Sequence, residues 1–498
     1  MDWTLEQMAR AMGGVPGAPP EAEALQARAA GVSIDSRTVA RGDVFFAVRG
    51  ERHDAHKFVA GALAAGALAA VITVGRRDEY ERAVHARLLC VDDPLAALQR
   101  VAREWRMEWG RGATGASRPR LLAGVTGSVG KTTTKEMLAA ILGTRFRTLK
   151  STGNLNNLFG VPLTLAQLGR EHEAAVVEMG MSRIGEIVRL AWMARPEVGV
   201  VTRVAPVHLE FFASVEEIAV AKRELIEGLS GEEPVAVLNA DDARVAAFGQ
   251  VMESRGSGRV ITYGTAARAD FRAVRVTECG LGGTELEYSS PAGNGRVRIP
   301  LVGRHNALNA LAALAAASCW GIGGKEAGEA LGRLAAGAMR GEVLRFEAGY
   351  TVINDCYNSS PAALAAAIAT LGRTGEAGRR ILVAGEMLEL GPTSPQLHRE
   401  AGAQAAAFGN IDWIFGVQGD AEQILRGAAA AGHSAAEQRF FASAAEAAEF
   451  LPGFLRAGDL VLLKGSRGVH LERVVEALAA QSRPAGAEGA PAGGKGRH

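Results

Sequence analysis

Cysteine is scarce. The four present, Cys90, Cys279, Cys319 and Cys356, are far apart in 498 residues and form no metal-like pair. That excludes a disulfide framework and fits a reducing compartment. An excess of either charge is lacking too: 55 Lys and Arg against 54 Asp and Glu leave a formal charge of +1. No general nucleic-acid or membrane surface is implied. No run is apolar enough to span a bilayer. Residues 60–74 come nearest, but the stretch is short and rich in Gly and Ala, and reads as a helix running into a strand at 70–74. The opening residues lack the basic-then-apolar pattern of a secretory signal. A cytoplasmic monomer is expected. No internal repeat is visible, and the length calls for roughly two to four domains.

What is there centres on Gly124-Val125-Thr126-Gly127-Ser128-Val129-Gly130-Lys131-Thr132-Thr133. An apolar run, Leu121-Leu122-Ala123-Gly124-Val125, reads as a buried strand before it. After it Met137, Leu138, Ile141 and Leu142 recur at helical spacing. A glycine-rich turn between strand and helix lets backbone N–H groups approach phosphate oxygens. Lys131 supplies a positive charge, and the Thr132 hydroxyl suits Mg2+. The usual pattern has Gly at position 125, where this chain has Val125.

Around this loop the chain reads as α/β. A small first segment, 1–93, holds short strands such as 43–48 and one Ala-rich helix. A helix at 94–109 and a Gly-rich linker at 110–117 precede the phosphate loop. Strands are expected at 174–179, 197–204 and 235–239, an irregular β stretch at 260–302 and a long helix at 307–320. A further α/β block covers 337–482, with strands at 351–355, 381–385, 413–417 and 460–464. The Gly, Ala and Pro tail, 483–498, is expected to be disordered.

Several polar residues stand where they need a reason. Glu178 ends an apolar strand. It is either a solvated strand end or a carboxylate facing Mg2+ beyond the carboxyl ends of parallel strands. His208 lies in a loop at the same end, and a lone His is usually structural. Ser214 and Glu217 form a capping box that starts a helix near Val215. Lys222 then falls on its apolar face with Ile218, Leu225 and Leu229. It either snorkels to water or loses its proton by desolvation. Asn306 reads as an N-cap, which leaves Asn309, on the same face, unexplained. Ser151-Thr152-Gly153-Asn154-Leu155-Asn156-Asn157 and Asp355-Cys356-Tyr357-Asn358-Ser359-Ser360-Pro361 are either ligand loops or turn chemistry.

Together these motifs resemble the Mur ligase family of ATP-dependent amide-forming enzymes. The likeness runs to about residue 480. Its strongest carriers are the variant phosphate loop, Thr134-Lys135-Glu136-Met137, Gly153-Asn154-Leu155-Asn156-Asn157, Glu178-Met179-Gly180-Met181, Asn354-Asp355-Cys356-Tyr357-Asn358 and Lys464-Gly465-Ser466-Arg467. Glu386 stands where the family has Asp.

The resemblance implies three domains: a small α/β N-terminal substrate domain (1–93), a central P-loop ATPase-like parallel or mixed sheet with helices (94–336), and a Rossmann-like C-terminal domain (337–482). It implies that D-alanyl-D-alanine is joined to UDP-N-acetylmuramoyl-tripeptide through an acyl phosphate. ATP, two Mg2+ ions and a carbamylated Lys222 would take part. Thr126, Gly127, Ser128, Gly130, Lys131, Thr132, Thr133, Asn306, Asn309, Arg340, Asp355 and Asn358 would meet ATP. Thr132, Glu178, His208 and Lys222 would serve metal, with Lys131, His208, Lys222 and Arg340 catalytic. Ser36, Arg37, Thr152, Asn154, Asn156, Asn157, Ser182, Lys464 and Ser466 would meet substrate. The alternatives are another ligase of the family or a nucleotide-gated binding protein. The tripeptide-forming ligase would carry an Asp-Asn-Pro-Arg motif, which is missing here.

Overall fold

The computed structural model describes residues 2–16, 22–50, 53–112, 120–207, 209–375 and 378–485. Three sheets follow one another along the chain. The first has five strands in the order Val15–Pro16, Leu88–Val91, Ala69–Thr73, Asp43–Phe46, Gly31–Ser33, all parallel except the first pair. Helix Pro94–Gly110 leaves this sheet, capped by Asp93 and opened by Pro94. It packs against both neighbours. Trp3, Met8, Val44 and Phe46 share one core with Leu98, Trp105, Leu122 and Val161. The linker expected at 110–117 begins later: Gly110 closes the helix, and 113–119 lie outside the described residues.

The second sheet has nine strands. Its parallel part runs Phe271–Glu278, Arg259–Gly264, Val235–Asn239, Val198–Val201, Leu121–Thr126, Ala174–Glu178, Thr148–Lys150. The irregular stretch near 260–302 resolves into a parallel strand, then an antiparallel meander ending in Thr284–Ser290 and Gly293–Ile299. Strand Leu121–Thr126 lies inside the sheet, third from one edge. The chain goes to one side of it for the next two strands and returns on the other for Val198–Val201. Such a reversal opens a crevice at the carboxyl ends of the strands. Helices Lys131–Leu142 and His305–Ala317 cover one face, joined in a core with Val125, Val200 and Val237. Helix Val215–Glu227 covers the other, with Val201 and Leu238.

The third sheet runs Glu342–Arg345, Thr351–Asn354, Leu460–Lys464, Arg380–Gly385, Trp413–Val417, Gln438–Phe441, parallel except for its first pair. Apolar cores cover both faces, as alternating helices require. This block touches the central one: the Glu210 N–H donates to Glu389 O at 3.2 Å, and Arg373 pairs with Glu278 at 3.6 Å. Order runs past the expected boundary at 482. Pro484 bridges Phe346, and the Glu347 N–H donates to Arg483 O. Residues 486–498 lie outside the described residues.

Candidate active site

The phosphate loop leaves strand Leu121–Thr126 and enters helix Lys131–Leu142. Two glycines shape it. Gly127 and Gly130 have φ of 143° and 85°. A Cβ on Gly127 would stand 1.9 Å from Thr202 Oγ1, and one on Gly130 2.4 Å from Asn309 Oδ1. Only glycine fits these close approaches. Val125 at the variant position is fully buried in the strand. The loop is braced from the next strand: Thr202 Oγ1 donates to Val129 O at 2.6 Å and lies 3.2 Å from Thr126 O, while Asn239 and Tyr263 donate to Thr202 O. Ser128 Oγ donates to Ala205 O at 3.0 Å. Thr202 was not singled out from sequence. Its one signal is a hydroxyl just past an apolar strand.

Lys131 Nζ donates to the loop's own Gly127 and Ser128 carbonyls at 2.8 and 3.3 Å. Burial pushes its ammonium below the usual range, Glu178 opposes this, and the Arg340 charge adds to it. Thr132 Oγ1 donates to Glu178 Oε2 at 2.8 Å. Glu178 is buried at the end of the neighbouring strand, so it is not a solvated strand end. Thr133 is half-buried on the same turn.

Helix Val215–Glu227 starts at Ser214, whose hydroxyl accepts from the Glu217 N–H. Lys222 is 1% exposed. No hydrogen bond of its ammonium is made among the described residues. Burial, then the nearby Lys131 charge, pushes the amine well below its usual range. It does not snorkel. Two residues on, Glu224 accepts from the Gly185 and Val188 N–H groups and fixes the start of helix Glu186–Ala194. His208 lies outside the described residues.

The Asn-rich loop divides its labour. Asn156 Nδ2 donates to Glu178 Oε1 at 2.9 Å, so this side chain holds the carboxylate instead of pointing freely to a ligand. Asn157 Oδ1 accepts from the Phe159 and Gly160 N–H groups, which is turn chemistry at the entry of helix Gly160–Ala166. Thr152 and Asn154 are exposed. Ser182 is exposed too, its N–H held by Glu186. Arg37 forms a two-pronged pair with Asp35 after strand Gly31–Ser33, beside half-buried Ser36. That strand packs on helix Gly160–Ala166, which sets the Ser36 turn near the Asn-rich loop.

Further side chains come from the other side. Asn306 is not an N-cap. The helix begins at His305, and Asn306 Nδ2 donates to Val302 O at 2.8 Å. Its oxygen accepts from Asn309 Nδ2 at 3.1 Å, and Asn309 in turn abuts Gly130. Arg340 lies with its guanidinium 3.8 Å from the Tyr357 ring centre. Asp355 pairs with Lys464 at 2.7 Å, and Lys464 also donates to Asn358 O at 2.9 Å. Asn358 is exposed. Lys464 is 3% exposed, so its ammonium is committed to shaping this loop and is not free for substrate. Ser466 Oγ accepts from the Leu388 N–H, tying two loops of the third sheet together. Glu386, one methylene longer than Asp, reaches the Asp420 N–H at 3.0 Å.

Lys131 and Arg340 thus bring positive charge to one crevice, with Glu178 and the desolvated Lys222 amine beside it. Such a place suits a polyphosphate. Family models match in chain order: the Mur ligase family catalytic domain at 28–106, the Mur ligase middle domain at 125–317 and the Mur ligase glutamate ligase domain at 339–467. The chain belongs to the Mur ligase family. Among Mur ligases it is 35% identical to the UDP-N-acetylmuramoyl-tripeptide–D-alanyl-D-alanine ligase of Bacillus subtilis, over 90% of this chain and 93% of that one. It is 34% identical to the enzyme of the same name from Escherichia coli, over 90% and 93%. The crystal structure of MurF from Acinetobacter baumannii superposes with a TM-score of 0.83 at 29% identity, covering 96% of this chain and 99% of that one. MurF ligase from Thermotoga maritima, solved in complex with ADP, gives 0.76 at 29% identity, covering 90% and 97%. The three-domain Mur ligase fold is therefore the fold of this chain.

Proposed function

We propose that this Mur ligase joins D-alanyl-D-alanine to UDP-N-acetylmuramoyl-tripeptide at the expense of ATP. The observation that carries the reading is a glycine loop bearing Lys131, with Thr132 bonded to the buried Glu178 beside it, in a chain that matches the ligases of that name along nine-tenths of its length. The domain limits that serve it are 1–93, 94–336 and 337–482, with the protein acting as a cytoplasmic monomer. Among the described residues no helix is long and apolar enough to cross a membrane.

A carboxylate is a poor electrophile until it carries a leaving group. The tripeptide carboxylate attacks the γ-phosphorus, the bond to the bridging oxygen breaks, and ADP leaves. The dipeptide amine then attacks the acyl carbon, phosphate leaves and the amine proton passes to solvent. Lys131 and Arg340 neutralise charge on the transferring group. Thr126, Gly127, Ser128, Gly130, Thr132 and Thr133 line the phosphates, Asn306 and Asn309 the base, Asp355 and Asn358 the ribose. Thr132 and Glu178 fit Mg2+, a cation that takes few protein oxygens beside phosphate and water. Mg2+, when bound, screens the phosphate charge during transfer. Lys222, a desolvated amine, suits carbamylation: the amine adds to CO2 and releases a proton, and the resulting anion, with His208, would serve a second Mg2+. Ser36, Arg37, Thr152, Asn154 and Ser182 face the nucleotide-peptide. Water would hydrolyse an acyl phosphate, so the C-terminal domain closes over the site about residues 336–341.

The test is phosphate release from ATP with UDP-N-acetylmuramoyl-tripeptide, with and without D-alanyl-D-alanine. Release that needs both, with a pentapeptide product by mass, is expected. Release that responds to a different amino acid, or to none, would overturn the reading.

A further inference from the structure

Arg340 is held in an unusual way for an arginine near a reaction centre. Among the described residues no carboxylate pairs with its guanidinium. The nearest acid in sequence, Glu342, is taken up by the Met339 N–H at 3.2 Å and Asn354 Nδ2 at 3.0 Å. What holds Arg340 is the face of Tyr357, 3.8 Å from guanidinium carbon to ring centre. The backbone supports the same contact. The Tyr357 N–H donates to Met339 O at 3.1 Å, and Met339 and Gly341, with φ of 59° and 70°, turn the chain tightly on either side of Arg340. Arg467 reaches Met339 Sδ at 3.3 Å from the other side.

A stacked guanidinium uses its flat face and leaves its N–H edge open. A carboxylate partner would have consumed that edge and cancelled the charge. The hydroxyl of Tyr357 makes no hydrogen bond among the described residues, so the ring is the working part. Tyr357 belongs to the loop that carries Asp355 and is pinned by Lys464.

We propose that Tyr357 is a positioning residue, whose ring presents Arg340 edge-on to the transferring phosphoryl group. The proposal rests on the ligase reading above. An arginine already fixed in direction loses less freedom when charge develops in front of it. The aromatic face also favours the cation without neutralising it.

The test uses the full-length enzyme and a double-mutant cycle. Tyr357→Phe keeps the ring and is expected to hold kcat within about twofold, while Tyr357→Leu lowers kcat about tenfold with the KM for D-alanyl-D-alanine unchanged. Arg340→Ala lowers kcat further, and adding Tyr357→Leu to it costs no more. A general loss of folding would instead add to the Arg340→Ala loss, so the cycle separates positioning from stability. An active Tyr357→Leu, a Phe variant as poor as the Leu variant, or additive losses would each overturn the proposal. A wild type without dipeptide-dependent phosphate release would overturn the ligase reading itself. A ligating wild type beside an active Tyr357→Leu would overturn this inference alone.

Discussion

Lys135 and Lys222 are buried to the same degree, each 1% exposed, yet their surroundings are opposite. Lys135, on the helix after the phosphate loop, donates to Ser151 O at 2.7 Å and pairs with Glu136 at 2.8 Å. Ser151 Oγ accepts from the Glu178 N–H, so this cation braces the wall of the site. Among the described residues Lys222 has no such partner, and the nearby Lys131 charge makes its charged form worse. One buried lysine is satisfied and holds architecture. The other makes no hydrogen bond among the described residues, and burial pushes its amine well below the usual range. Residue type and burial do not distinguish them; hydrogen-bond satisfaction does.

The sharpest way to break this contrast is to replace each by methionine. Lys222→Met is expected to abolish ligation, by about a thousandfold or more. Its melting temperature should stay level or rise by a few degrees, roughly, since a desolvated amine is removed. Lys135→Met is expected to do the reverse: a stability loss of about 2–4 kcal/mol with a smaller loss of activity. Calorimetry and phosphate release read both. A Lys222→Met protein that melts below Lys135→Met would end the comparison.

Glu178→Gln probes the carboxylate both lysines serve. The amide keeps the size but loses the charge, and its single oxygen can accept only one of the two bonds from Thr132 and Asn156. Ligation is expected to fall about a hundredfold, with a raised Mg2+ requirement and a nearly unchanged melting point. An unchanged Mg2+ dependence would remove Glu178 from the metal site.

His398 sharpens the contrast with a third buried base, satisfied in its neutral form. Its Nε2 accepts from the Met387 N–H at 2.9 Å, and its Nδ1 donates to Ser394 O at 2.7 Å. Burial pushes the imidazole below its usual value of 6.5. The unfolded chain therefore takes up a proton more readily than the folded one. Stability from this group is complete above about pH 6.5 and declines as pH falls toward the lowered folded value, by at most about 1.4 kcal/mol per pH unit. His398→Gln should flatten that slope in melting curves between about pH 7 and 5. An unchanged slope would assign the acid sensitivity to another group.

Much of the site could be read from letters because it is local. The phosphate loop, the strand ending in Glu178 and the inward face carrying Lys222 are each set by a few neighbours along the chain. The supports are not local. Asn156 reaches Glu178 across 22 residues and Thr202 reaches Thr126 across 76. The Arg340–Tyr357 stack joins a turn to the loop after a strand. Nothing in either segment alone marks that pairing. Asn306 reads as a cap because Asn favours helix starts, but here its carboxamide is drawn to Val302 O and Asn309 inside the first turn. The family resemblance gives Lys464 to substrate, whereas in the structure its ammonium donates to Asp355 and to Asn358 O.

The proposal that desolvated Lys222 takes up CO2 is open to direct test. The most direct measurement is the carbon-13 spectrum of the protein in labelled bicarbonate with Mg2+ and ATP. The account expects one carbamate signal that persists in Lys135→Met and vanishes in Lys222→Met. No signal in the active wild type, or one that survives Lys222→Met, would contradict it.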